Sequence, residues 1–310
     1  MSLIRGYASA PAPLSSIFSP KLFYNDEPRE NADEIGARGG GFTLSNGVET
    51  SVAFSPGAGE KIRIYVNDLE LAFPTSLRAA ETAKKLLDLR GEIEIRHRIK
   101  VPLGTGFGTS AAAALTTLLA LFRIAGRGIT LQEACKIVHG LELECKTGLN
   151  SEAGFLSEGL ILVLEEGAPP RVKVNSIPLP HDSMIIAVVA APLDTSNLLR
   201  KMEKLREIEE VGDRKLAEIL RKPTPENFLN RSREFAEETG LTTGKVREIF
   251  EELRRLPVIG YAQNMIGEAC HALVHARKAG EVTARLKEVF PEYRVISSEI
   301  NGLIRASVEI

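Results

Sequence analysis

The sequence carries no excess of either charge: 39 Lys and Arg against 41 Asp and Glu leave a formal net charge of -2. A chain so balanced presents no basic footprint for nucleic acid or an acidic membrane, so any anionic ligand must be caught by a local arrangement of groups. Cysteine is scarce as well. Cys135, Cys145 and Cys270 are the 3 present, and they show neither C-x-x-C spacing nor an even-numbered framework. That excludes a disulfide scaffold and a cysteine metal site, and suits free thiols in a reducing compartment. Long apolar runs are also missing. The longest, around residues 110–125 and 184–193, are too short or too interrupted to span a bilayer. The first residues include one early Arg without the continuous apolar segment of a secretory leader. No repeat period or low-complexity tract is visible. The expectation is a cytoplasmic protein that engages neither nucleic acid nor membrane; a homodimer stays open.

What the chain does have is core material. With 310 residues, 44% of them hydrophobic and 26% charged, it can fold as one large domain or two moderate ones. "GARGGGFTLSNGVETSVAF" carries turn residues and then alternating apolar positions, as in a hairpin or two edge strands. "KIRIYVND" alternates with period two. "PTSLRAAETAKKLLDLRG" opens with Pro and Ser and closes with Gly, the asymmetry of a helix. In "GEIEIRHRIKV", Ile93, Ile95, His97, Ile99 and Val101 share one face of a half-buried strand, which makes His97 a hydrogen-bonded core histidine.

Two helices are expected next, from Thr109 to about Ala125 and from Thr130 to about Lys146, the second opened by a Thr130/Glu133 capping box. "EGLILVLEEG" and "MIIAVVAAPL" read as strands. Beyond Asp194 the chain turns charged and helical through about residue 256. "NMIGEACHALVHARKAG" reads as one more helix, and "EYRVISSEINGLIRASVEI" ends in two strands. The fold class expected is α+β with two lobes, residues 1–192 and 193–310.

The chemistry concentrates in "PLGTGFGTSAAAAL". Gly104, Gly106 and Gly108 alternate directly ahead of Thr109, Ser110 and a row of alanines. A helix N-terminus offers unpaired N–H groups and the positive end of the dipole, and glycines let the backbone approach an anion closely. The stretch therefore predicts a phosphate cradle. It is not a P-loop, because no Lys follows Gly108. It is not the dinucleotide fingerprint or the protein-kinase loop, both of which need Gly at position 109. Glu142, with His139 three residues earlier on the same helix face, offers a carboxylate suited to Mg²⁺. On spacing alone the pair could equally be helix surface.

Pro102, Gly106, Phe107, Gly108, Thr109, Ser110 and Ala111 meet the pattern P-x-x-x-G-[LF]-G-[ST]-S-A. This resembles the second motif of the GHMP kinases. "GARGGGFTLSNGV", "ECKTGLNSEAGFLSEGLILVLEEGAPP" and "NMIGEACHAL" further resemble the archaeal pantoate kinases. The resemblance implies an N-terminal α+β domain like the second domain of ribosomal protein S5, then a helix-rich α+β domain, with the site between. It also implies ATP and Mg²⁺, with transfer of the γ-phosphate to the 4-hydroxyl of pantoate in coenzyme A biosynthesis. By the same resemblance Pro102, Gly104 and Gly106–Ala111 hold the nucleotide, Ser110 and Glu142 hold the magnesium and carry catalysis, and His139 and Ser151 belong to the acceptor side.

Arg38, in "GARGGGF", is expected to hold the acceptor's carboxylate through paired hydrogen bonds. Departures from the family pattern fall on the acceptor side. Asn150 and Ser151 stand where an acid is usual, with Glu152 one place on. "PAPLS" (Pro11–Ser15) replaces P-G-H-I-T, Ala37 replaces a serine, and Val163 replaces an arginine. Phosphoryl transfer tolerates the loss of a base, because positioning and charge neutralisation supply most of the catalysis. Three readings are compatible with these letters: a pantoate kinase with a rearranged acceptor site, a kinase for another small hydroxy acid, and a nucleotide-binding paralogue without turnover.

Overall fold

The computed structural model describes residues 3–25, 27–192, 202–300 and 302–309. Its strands are β1 (Ile4–Lys21), β2 (Phe23–Tyr24), β3 (Glu27–Pro28), β4 (Gly36–Pro56), β5 (Ile62–Val66), β6 (Leu69–Glu70), β7 (Gly91–Ile99), β8 (Leu160–Glu165), β9 (Lys173–Ile177), β10 (Ser183–Ala191), β11 (Gly260–Gln263), β12 (Glu268–His275), β13 (Arg294–Glu299) and β14 (Arg305–Glu309). The α-helices are α1 (Pro74–Leu87), α2 (Thr109–Ile124), α3 (Leu131–Cys145), α4 (Met202–Arg221), α5 (Pro225–Glu238), α6 (Gly244–Leu253) and α7 (Ala276–Val289). The 8-stranded sheet runs β14-β1-β4-β7-β5-β6, with β8 on the far half of β4 and β9 beyond it. The 4-stranded sheet runs β11-β12-β10-β13. The mixed α+β class is as expected.

Helix α2 explains why the alanine row exists. It lies against β1 and β4 with α1 and α3 at its sides, and Ala111, Ala112, Ala113 and Ala114 are fully buried. Small side chains let the helix sit close to the sheet. On the sheet side the same closeness requires Gly6, where a Cβ would stand 2.6 Å from the Ala120 carbonyl oxygen. His97 on β7 is buried and hydrogen-bonded by Thr50 and Ser76. Burial lowers its pKa to about 4, so it is a neutral core histidine. Thr130 and Glu133 form the expected capping box at the start of α3.

Two segments fold differently from the sequence reading. "GARGGGFTLSNGVETSVAF" is neither a hairpin nor an edge: it is one continuous strand, β4, paired with β1 on one side and with β7 and β8 on the other. Its glycines signal crowding, not turning; a Cβ at Gly41 would lie 1.8 Å from the Leu14 carbonyl oxygen. "NMIGEACHALVHARKAG" is a turn, then strand β12, and only from Ala276 a helix. Residues Ala269 to Val274 are buried throughout, and a short apolar run buried on both faces has no period to separate strand from helix. Strand β10, a strand as expected, is likewise buried on both faces: Ile185, Ala187 and Val189 join the main core, and Ile186 and Val188 join the smaller core that includes side chains of α6 and α7.

Sheet membership does not divide at residue 192. Strand β10 precedes that point yet belongs to the 4-stranded sheet, and β14 returns from the C-terminal end to pair with β1. Of the charged segment, 202–221 forms α4; residues 193–201 lie outside the described ones.

Candidate active site

Strand β7 delivers the chain to the glycine loop, where Gly104, Gly106 and Gly108 hold φ values of 67°, 78° and 55°. An L side chain in this left-handed region costs about 1–2 kcal/mol. Space adds a second reason for glycine. A Cβ at Gly106 would lie 2.9 Å from Asn264 Cβ and from the Met265 carbonyl oxygen, and one at Gly108 would lie 2.5 Å from Pro13 Cγ.

Three of the loop's carbonyls have donors in place. Asn264 Nδ2 donates to Thr105 O at 3.0 Å, Ser15 N donates to Gly106 O at 3.0 Å, and Ala112 N donates to Gly108 O at 3.1 Å. Gly108 caps α2 without any side-chain acceptor for the first amides of the helix, which leaves N–H groups for an outside anion. Pro102 supplies the carbonyl that Thr105 Oγ1 binds. Ala111 is wholly buried and Phe107 is 1% exposed, so both anchor the loop from below.

The loop forms one wall of a cavity of about 540 Å³. The start of α1, the Cys145–Ser151 turn, the β1–β4 pair, Val163 on β8 and the Met265–Ile266 turn supply the others. Gly104–Ser110, Arg38 and Ser151 all line this space. Pro102, Ala111, His139 and Glu142 do not.

Glu142 stands one layer behind Ser110, whose hydroxyl donates to Glu142 Oε1 at 2.6 Å. The carboxylate is 1% exposed, and its Oε2 makes no hydrogen bond of good geometry among the described residues. Burial, and then the charge of Glu152, push the Glu142 pKa up to about 7, against hydrogen bonds from Ser110 and Ser151 and the nearby charge of His139.

His139 is further back still. Its Nδ1 lies 2.7 Å from Glu152 Oε1 and its Nε2 lies 3.1 Å from the Ala32 carbonyl oxygen. Both partners are acceptors, so both ring nitrogens carry protons when Glu152 is ionised. Burial works against the charged ring, yet the contact with Glu152 outweighs it and the His139 pKa is raised. The expectation that His139 contacts substrate does not match this placement: its ring is 1% exposed and saturated by protein partners. Glu152, wholly buried in the same pair, does not face the cavity either.

Arg38 is held from one side. Its Nε donates to Glu166 Oε2 at 2.8 Å, and Arg29 Nη1 binds Glu166 Oε1 at 2.9 Å. Burial works the other way, but the backbone amide and the two guanidinium groups keep the Glu166 pKa below the usual carboxylate range. Arg38 and Arg29 thus share the Glu166 carboxylate, and Asp213 and Glu165 add further negative charge near Arg38. The Arg38 side chain is 40% exposed and has no other hydrogen bond among the described residues.

Sequence reasoning missed several neighbours. Asn150, left-handed at φ 75°, accepts from the amides of Ala37 and Gly167 and donates to the Gly167 carbonyl, bracing β4 against the end of β8. Lys146, also left-handed, caps α3 and lines the cavity without an ion pair among the described residues. Glu166 and Asn264 act across 128 and 159 positions of chain, and no local pattern announces such contacts.

A family model described as "GHMP kinases N terminal domain" matches residues 75–155, the span from α1 through the glycine loop to Phe155. The pantoate kinase of Thermococcus kodakarensis is 30% identical over 94% of this chain and 95% of that one. The pantoate kinase of Methanocaldococcus jannaschii is 30% identical over 76% of this chain and 83% of its own. Among solved structures, a "Phosphotransferase related to CoA biosynthesis pathway" superposes with a TM-score of 0.82 at 27% identity, covering 99% of both chains. The homoserine kinase from Cytophaga hutchinsonii shares the fold with a TM-score of 0.65 at 15% identity, over 100% of this chain and 98% of that one. With 30% identity to a pantoate kinase over nearly the full length of both chains, and the GHMP kinase model matching from α1 to Phe155, the chain belongs to the GHMP kinases.

Proposed function

We propose that this protein transfers the γ-phosphoryl group of ATP to the 4-hydroxyl of pantoate, in the service of coenzyme A synthesis. The observation that carries this reading is the convergence in one cavity of the glycine loop, Ser110 backed by Glu142, and Arg38. The loop amides and the start of α2 take the phosphates. Arg38 takes the acceptor's carboxylate. Ile17, Phe18, Ile161 and Val163 give the wall near Arg38 an apolar character, which suits the paired methyl groups between pantoate's carboxylate end and its 4-hydroxyl.

Magnesium fits the residues present. The buried, unpartnered Oε2 of Glu142 and the hydroxyl of Ser110 form a small oxygen set, in keeping with an ion that takes one or two protein oxygens and keeps its waters. When bound, the ion neutralises charge on the phosphates. Cation binding needs the ionised carboxylate, and Glu142 stays protonated below about pH 7. Affinity for a Mg²⁺–nucleotide pair is therefore expected to rise with pH up to that point, by at most about tenfold per unit for a single proton released. Calorimetry from pH 6 to 8 reads this directly, and Glu142→Gln should flatten the profile.

No aspartate, glutamate or histidine lines the cavity among the described residues. Among the described residues the cavity thus offers no carboxylate or imidazole as a general base, and on this reading the hydroxyl proton passes to a phosphate oxygen as the phosphoryl group moves. Orientation and charge neutralisation do the work.

Arg38→Lys is expected to raise the acceptor KM, with a loss of about 1.5–3 kcal/mol for a charged hydrogen bond, while the ATP KM stays put. Lysine cannot bind Glu166 and a carboxylate through one planar fork. Loss of thermal stability with an unchanged acceptor KM would instead make Arg38 a partner of Glu166 alone. Ala37 and Val163, small and apolar where the family pattern has a serine and an arginine, favour a second reading: a different small hydroxy acid. Mg-ATP with a panel of hydroxy acids separates the two. ADP release peaking with pantoate supports the first; release peaking with another acid supports the second.

A further inference from the structure

We infer that Asn264, held by His271, is a positioning residue for the nucleotide phosphates, turning the Thr105–Gly106 peptide so that its N–H faces the cavity. This rests on the proposal that the glycine loop binds ATP. The two side chains lie in the turn before β12 and on β12 itself, and both are fully buried. Asn264 Nδ2 donates to Thr105 O at 3.0 Å. That carbonyl can only accept, which fixes the amide's orientation and leaves Asn264 Oδ1 facing His271 Nδ1 at 2.9 Å. His271 Nδ1 must then carry the proton. Its Nε2, at 2.9 Å from Ser16 Oγ, accepts from the serine. Burial keeps the ring neutral, with a pKa lowered to about 3, so one tautomer serves over the whole physiological range.

The consequence for the loop follows from peptide geometry. In a trans peptide the C=O and N–H point in opposite directions. Turning Thr105 C=O toward Asn264 therefore turns Gly106 N–H away from the turn, toward the space that Gly106 lines. Ser15 N does the same for the next peptide, binding Gly106 O, while Ser15 O accepts from Met265 N at 2.8 Å. The turn is pressed against the loop: a Cβ at Gly267 would meet Thr105 Cα at 2.8 Å. Met265 and Ile266 of this turn also line the cavity. One short segment of the C-terminal half thus sets the amides of a loop that lies 159 residues earlier.

Asn264→Asp keeps the shape and the contact with His271 but sets a carboxylate oxygen against Thr105 O. With Mg²⁺ and a non-hydrolysable ATP analogue, calorimetry should show at least a tenfold weaker Kd than wild type, with the acceptor KM at saturating ATP within twofold. Asn264→Ala should move the Kd in the same direction. A role confined to folding would lower the melting temperature and leave the nucleotide Kd of the folded fraction unchanged; that result overturns the inference. If neither Asn264 variant folds, His271→Ala carries the test, and an unchanged nucleotide Kd there overturns it equally. Failure of the wild-type protein to bind the analogue would instead reject the assignment of the loop to ATP.

Discussion

Glu142→Gln is expected to lower kcat by at least about 100-fold, the scale of removing one preorganised charge-stabilising group from an active site, without unfolding the protein. Glutamine keeps the shape and can still accept from Ser110, but it offers no negative oxygen to a cation. Stability should move the other way. In the folded chain the carboxyl group is buried with Oε2 unpartnered, and its pKa is raised to about 7. A folded pKa above the unfolded one means that the native state binds the proton more tightly. This contribution to stability is present at low pH and is lost as pH climbs from the ordinary carboxylate range through about 7. Glutamine has no such loss, so its melting temperature relative to wild type should be better at pH 8 than at pH 5. Ser110→Ala should also lower kcat. Glu144, exposed and paired with Arg78 on the outer surface of α3, is the control and should tolerate the same change as Glu142. Near wild-type rates for Glu142→Gln at saturating Mg²⁺ would remove the residue from the site.

Gly106→Val should abolish tight nucleotide binding. The position combines φ 78° with a Cβ path that ends 2.9 Å from Asn264 Cβ and Met265 O. Left-handed strain of about 1–2 kcal/mol and overpacking of about 1–3 kcal/mol must be relieved together. The loop can escape only by moving off the turn, which releases the carbonyls that orient its amides. At least about 100-fold weaker binding is expected, corresponding to about 2.7 kcal/mol, with a lower melting temperature. Gly104→Ala carries the left-handed strain of φ 67° but, among the described residues, meets only Pro192 Cβ, at 3.2 Å, and should do less. Unchanged affinity in a folded Gly106→Val protein would take the loop out of the nucleotide site.

The loop was legible in the sequence because its chemistry is local: glycine spacing, a helix start and an alanine row all sit within about a dozen residues. The capping box of α3 and the core role of His97 were legible for the same reason. In strand β4 the glycines do not mark turns. They are instead sites where β1 and β8 approach too closely for a Cβ, a fact about neighbours and not about the segment itself. Strand β12 was hidden by burial on both faces, which erases the alternation that marks a strand. His139 shows the limit of helical spacing. Three residues from Glu142, it shares that face in projection, yet Glu152 draws its ring away from the cavity. What Asn264, Glu166 and Arg29 do is not written in any local pattern, since each works through a partner far along the chain.

Transfer of phosphate from ATP to the 4-hydroxyl of pantoate can be followed in one sample by ³¹P NMR. With the protein, Mg-ATP and pantoate, the γ-phosphate signal should give way to a phosphomonoester split into a triplet by the two protons on carbon 4, as ADP appears in equal amount. A doublet would place the phosphate on the 2-hydroxyl, next to a single proton. ADP accompanied only by inorganic phosphate, or ATP left intact by a protein that binds it, would contradict pantoate phosphorylation outright.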